Sequence, residues 1–423
     1  MRQPVYKSRP VEPNPARFGG QRINDFIVLS EAFSNAYLIT TAEGNVQLNA
    51  GMGIEAPVIA ANFRDFSEAP LHSLILTQGH VDHLGGTAYF RENNPGLRVI
   101  AGANNPEHQA YDTRLATFRA NRSAFAFTSK FNSAFQYYSE HGLTEFPAQD
   151  APTPDVLVED AMAFELGGTR IEVIALPGAE TNDSVIVWLP EHRICFTGNL
   201  FGCPFGHFPN LVTIRGDRYR DALVVANAVE TVRALEPEMI CYGHHGPVQG
   251  ADLIQDELRA LYGAILHVHD ATVAGMNEGK DVHTLMREIA LPSELEVGQG
   301  YGKVAWGVRA IWENYAGWFH HESTTELYSV PASAVHADLV ELAGGGEALL
   351  ARAAEKLAQG SREAALHLLD IVCNGGEDSA ASRALAVQVH ESLLHDTDNF
   401  WLSSWLHNQI ELLQNFDDEN LVG

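Results

Sequence analysis

Residues 76–86 read LTQGHVDHLGG, and this stretch decides how the rest of the chain is read. It follows an apolar run, Leu71–Ile75, that has the composition of a buried strand. His80, Asp82 and His83 then fall in a short turn closed by Gly85-Gly86. A strand ending in such a turn sends His80 and Asp82 toward two neighbouring points, while His83 joins Asp82. The glycines let the next helix start close against the loop. Imidazole and carboxylate together suit zinc, and also iron or manganese. A further ligand belongs two residues before His80, where the chain has Gln78.

The bulk composition narrows the alternatives. A chain of 423 residues is too long for one ordinary core, and 45% hydrophobic residues suit a globular protein of two or more domains. The formal net charge of −27 repels phosphate backbones and anionic lipid, which argues against nucleic-acid and membrane partners. The same field opposes an anionic substrate unless local cations reverse it. The N-terminal residues are polar and proline-rich, unlike a signal peptide, and no apolar run is long enough to span a bilayer. Cys195, Cys203, Cys241 and Cys373 show no paired spacing, the pattern of thiols in a reducing cytoplasm.

Three segments are expected: an arm over 1–22, a metal-binding domain over 23–255 and a helical domain over 256–423. From residue 23, β-branched runs alternate with helical and loop stretches, with a hairpin turn at Glu43-Gly44. This is the grammar of two sheets flanked by helices. After residue 255 the apolar spacing becomes helical, and residues 338–395 read as paired antiparallel helices capped near Asp378 or Ser379. His267 and His269, two apart on a helix, face different ways and are not a ligand pair.

The ordered pieces NAYLITTAEGNVQLNAG, TQGHVDHLGG, LPGAETNDS, FTGN and YGHHGPV resemble the five motifs of the metallo-β-lactamase superfamily. The resemblance implies an αββα sandwich with one or two metals at the sheet edges. Glu180, after Pro177-Gly178-Ala179, resembles the alkyl sulfatase branch. So do NRSAFAF, NLVTIRGDRYRDAL, LHVHDATVAGMNEG and YGKVAWGVRAIWENYAGWF, and with them ELAGGGEALLARAAEKLAQGSREAALHLLD. The likeness runs from about 20 to 415 and implies a helical dimerisation domain and a homodimer, without the C-terminal lipid-carrier-like domain usual in that branch.

The departures concern charge. Gln78 stands for a histidine, Asn199 for the acid that links two metals, and Asn49 for an aspartate that buttresses the loop. Amides coordinate divalent ions more weakly than imidazole or carboxylate. One tight zinc is therefore expected on Asp82, His83 and a histidine of the His244-His245 pair, with alignment on Gly246-Pro247 favouring His245. A second ion, weak if present, would use Gln78, His80 and Glu180. The resemblance implies a metal-activated water, with Asp82 orienting it, Arg215 gripping sulfate and His207 lying near the proton donor. Residues 118–142 interleave aromatic and basic side chains, as either an apolar wall or a packing segment. The favoured function is hydrolysis of a sulfate ester or related hydrophobic ester. The alternatives are an acyl hydrolase (lactone, lactam or thioester) and a silent metal- or ligand-binding dimer.

Overall fold

A computed structural model describes residues 4–419. Its strands divide into two sheets, whose order follows the sequence. The first contains β1 (Gln21–Arg22), β2 (Ile27–Ser30), β3 (Ala36–Thr41), β4 (Gly44–Leu48), β5 (Leu71–Ile75), β6 (Arg98–Gly102) and β7 (Val156–Val158), neighbours in that order. The second contains β8 (Ala161–Leu166), β9 (Thr169–Ala175), β10 (Val185–Leu189), β11 (Ile194–Gly198), β12 (Met239–Tyr242) and β13 (Val248–Gln249), again in sequential order. Strands β4 to β7 are mutually parallel, as are β11 and β12.

Side-chain alternation explains the layers. Ile27, Leu29, Ile39, Val46 and Leu48 of the first sheet meet Val173, Val185, Val187 and Phe196 of the second in one buried core. The intervening Val28 and Leu38 point outward onto Val58, Ile59, Phe63 and Tyr138 from the helices Ala56–Arg64 and Ala116–Glu140. On the other side, Ile186, Trp188 and Ile240 pack against the helices Ala222–Ala234, Ala251–Asn277 and Val304–Ala316. The result is the expected four-layer αββα sandwich. Two details differ from the sequence reading. Thr41 pairs with Gly44, so the hairpin loop is Ala42-Glu43. Strand β8 escaped notice because Ala161 and Ala163, not polar residues, alternate with the inward Met162, Phe164 and Leu166 and hide the period.

Packing divides the chain between Tyr315 and Ala316. The change from strands to helices near residue 255 comes earlier, because the helices Ala251–Asn277 and Val304–Ala316 cover the second sheet. In the second unit, the helices Gly346–Ala358, Arg362–Asn374 and Ala380–His395 bury Ala353, Ala365, Leu369, Ala386 and Val389. Ser379 caps the last of these, accepting from the Ser382 amide. Residues ahead of β1 run along their own unit: the Ala16 amide donates to Glu55, and Arg9 donates to the Pro247 carbonyl.

The candidate site residues emerge from one edge of the sandwich. Asn49 follows β4, Gln78–His83 follow β5, Glu180 follows β9, Asn199 follows β11 and His244 follows β12. Carboxyl ends of strands are where open α/β folds place their ligands.

Candidate metal centre and cavity

Asn49 anchors the centre. It sits at φ 58° and its Oδ1 accepts from both the amide and the hydroxyl of Thr77, each at 3.0 Å. It therefore still braces the loop without an aspartate's charge. The Thr77 and Ser34 hydroxyls lie 3.1 and 3.2 Å from His83 Nδ1, which orients that ring. His83 Nε2 then lies 3.1 Å from the Asn199 side-chain amide, which donates to it, and 3.9 Å from an Asp82 oxygen. Gly243 allows Asn199 this place, since a Cβ there would fall 1.9 Å from Asn199 Oδ1.

The two histidines of the pair have different surroundings. His244 lines the cavity with Asp82 and Asn199. His245 turns away at φ 60°, gives its carbonyl to Asn35 and lies by Arg9 and Pro10. Sequence spacing favours His245 because it does not register the left-handed residue that reverses the chain between His244 and Gly246-Pro247. His207 is also outside the cavity. Its Nδ1 accepts from the Gly300 amide at 3.0 Å, a contact that fixes the loop around Gly298.

Charge differs sharply between the two halves of the centre. Burial lowers His83 to about 4 and His244 to about 3, so both rings are neutral at physiological pH. Burial works against ionising Asp82, yet the facing imidazoles and Arg215 outweigh it and hold the carboxyl below its usual value. Around His80 the neighbours are ions. Asp217 Oδ2 lies 3.5 Å from His80 Nε2, and Gln78 donates to His80 Nδ1 at 2.7 Å. Asp217 also pairs with Arg119 at 2.8 Å and lies 3.9 Å from Arg220. Arg220 clamps Glu180, reaching its carboxylate at 3.0 Å and its carbonyl at 2.6 Å. Arg119, Asp217 and Arg220 were not recognised as site members from the sequence. Their partners lie up to 140 positions away, and only the density of charge in RGDRYRD hinted at a role.

Arg119, with His80, Asp82 and Glu180, borders a cavity of about 610 Å³. Its polar end includes His80, Asp82, Glu180, Asn199, Arg215 and His244; its other wall includes Phe33, Leu84, Phe127 and Phe131. The helix Ala116–Glu140 is both things its sequence suggested, with Phe127 and Phe131 on the cavity and Ala134 and Tyr138 in the core.

Among the described residues, no three His, Cys, Asp or Glu side chains stand at metal-holding spacing. The donor chemistry nevertheless separates the halves. Asp82, His83 and His244 offer one carboxylate and two neutral imidazoles, beside a buried Asn199 Oδ1 and His244 Nδ1 that lack hydrogen-bond partners. That set fits a divalent ion, which would displace only the neutral Asn199 donor. Gln78, His80 and Glu180 fit one poorly: His80 Nε2, although it makes no hydrogen bond, faces the Asp217 carboxylate at 3.5 Å, its Nδ1 is taken by Gln78, and Arg220 holds Glu180.

Comparison with known proteins agrees with this architecture. The metallo-beta-lactamase superfamily model matches residues 29–244, and the alkyl sulfatase dimerisation model matches 282–415. A linear primary-alkylsulfatase from Pseudomonas sp. is 24% identical over 89% of this chain and 73% of its own length. An alkyl/aryl-sulfatase from Saccharomyces cerevisiae is 22% identical over 85% of this chain, which spans 58% of that relative. The solved stereoselective inverting sec-alkylsulfatase Pisa1 from Pseudomonas sp. superposes with a TM-score of 0.80 at 20% identity, over 94% of this chain and 66% of that one.

Proposed function

The chain belongs to the metallo-beta-lactamase superfamily, and from that premise we propose that it is a metal-dependent hydrolase of hydrophobic sulfate esters. One observation carries the reading: a single cavity joins a polar end holding Asp82, His244 and Arg215 to a wall of Phe33, Leu84, Phe127 and Phe131. Such a space suits an amphiphilic ester, with its anion at one end and its chain along the other. The alkylsulfatase relatives support the same class.

Asp82, His83 and His244 would hold the ion, and zinc suits one carboxylate with two imidazoles. When bound, zinc supplies acidification of water, bringing its pKa from roughly 15.7 to about 7. The chain's own residues do the rest. Asp82, ionised and half-buried, accepts a proton from a nucleophilic water and fixes its direction. Arg215, on a backbone held by Arg122 through the Arg215 and Ile214 carbonyls at 2.8 Å each, presents a planar fork to sulfate oxygens. The aromatic wall excludes bulk water from the scissile end. The region matched by the dimerisation model is proposed to join two copies of the chain.

The test is a substrate screen on protein with measured metal content, setting alkyl sulfates of graded chain length against lactones, lactams and thioesters. Turnover of long alkyl sulfates, abolished by Arg215→Ala, is the expected result. Preference for acyl substrates with Arg215→Ala fully active overturns the sulfate assignment, and inactivity throughout overturns the hydrolase.

A further inference from the structure

We propose that the half of the centre built around His80 takes no metal, and that Asp217 and Arg220 do there what a second ion would do: hold His80 and Glu180 in place and supply positive charge. This builds on the metal-dependent reading above, but concerns a different set of atoms.

The argument is one of available lone pairs. A histidine ligates through an unprotonated ring nitrogen. His80 Nδ1 accepts from the Gln78 amide at 2.7 Å, which places the ring proton on Nε2, and Nε2 faces Asp217 at 3.5 Å. No lone pair of the ring remains. The reversed Gln78 amide would put the proton on Nδ1 and turn the Nε2 lone pair toward the Asp217 carboxylate at 3.5 Å, a repulsive pairing that favours the orientation seen. Gln78 thus acts as a second-nitrogen holder and not as a ligand.

Glu180 is committed in the same way. Arg220 takes its carboxylate and its carbonyl together, and its remaining nitrogen donates to the Asn210 carbonyl. Arg220 is 7% exposed as a residue, so its charge acts in a medium that screens it little. Asp217 completes the network as a carboxylate shared by His80, Arg119 and Arg220. Arg119 is in turn held by Asp112 at 2.8 Å. A divalent ion at this point would have to break a buried ion pair and sit beside fixed guanidinium groups. Both terms oppose binding.

Asp217 is therefore a positioning residue. Through His80 and the arginines it sets the shape and charge of the cavity floor, while the metal-competent residues Asp82, His83 and His244 stand apart from it.

The experiment is ion counting by elemental analysis on the full-length protein, after loading with excess zinc and desalting. Wild type is expected to retain one ion per chain, lost in Asp82→Asn and kept in His80→Asn. The combined variant Asp217→Ala with Gln78→His is expected to retain two, because it frees Nε2 and adds an imidazole. Two ions in wild type overturn the proposal, whatever the activity. Loss of the single ion in His80→Asn with a native circular dichroism spectrum overturns it equally. No ion in wild type defeats the metal-dependent function, yet agrees with a closed His80 half.

Discussion

His83 and His244 carry the clearest pH signature in the molecule. Both rings are forced toward neutrality by burial, to about 4 and about 3, whereas in the unfolded chain they titrate near the ordinary imidazole value. Below pH 6.5 the unfolded state binds more protons than the native one, so stability falls as the medium is acidified. Each ring contributes about 1.4 kcal/mol per pH unit across its window, from near 6.5 down to its folded value. Melting temperatures of chelator-treated protein should drop steeply from pH 6.5 to 4, with a shallower slope in His244→Asn. An equal slope in the variant would mean that His244 is not held neutral by the fold. The residues behind this behaviour were only partly visible beforehand. His80, Asp82 and His83 announce themselves because their spacing is local. The choice of His244 over His245 depends on one left-handed residue, and Asp217, Arg119 and Arg220 meet only through the fold.

At the scale of elements, the helix Ala116–Glu140 and the start of Ala56–Arg64 do the positioning. Phe131 packs against Phe33 in the cavity wall with ring centroids 5.1 Å apart. Contact with one such ring is worth about 1.5 kcal/mol to an alkyl chain. Phe131→Ala should therefore raise KM for a long-chain ester about tenfold and leave a short one unchanged. A uniform change over chain length would remove Phe131 from the substrate wall. Glu55 serves stability instead. Buried just ahead of the helix Ala56–Arg64, its carboxylate accepts from the amides of Ala16, Phe33 and Met52. Glu55→Ala leaves three donors without a partner and should cost about 3 kcal/mol or more in urea unfolding. A loss below about 1 kcal/mol would show that water replaces the carboxylate. Apolar patterning revealed most strands and helices, because strands covered on both faces read as continuous apolar runs and helices as apolar stripes. It missed β8, where alanine in place of a polar residue fills two of the exposed positions, and it could not tell that Ala116–Glu140 faces core and cavity at once.

Over the whole molecule, charge is the property that composition states most plainly, and its arrangement is the one composition hides. The chain carries −27 overall, yet Arg119 and Arg215 line one cavity, with Arg220 behind its Glu180. The organisation into a strand-rich part and a helical part was legible because element type changes near residue 255. The packing division at residue 315 was not, since it depends on which helices find an exposed sheet face. These two charge scales make opposing demands on an anionic ester. At a distance it meets the net negative field; inside, it meets fixed guanidinium groups with low screening. Salt acts mainly on the first, because exposed charges separated by more than about 8–10 Å are screened near 0.15 M while buried ones are not. Raising ionic strength from 10 to 150 mM should therefore increase kcat/KM for an alkyl sulfate, by a factor of about three to ten, within the range typical of electrostatic control of encounter. A neutral ester of the same chain length should show no change, which separates screening from effects on the fold. A fall in kcat/KM for the anion would mean that the arginines already dominate the approach, and that the acidic surface is turned away from the substrate's path.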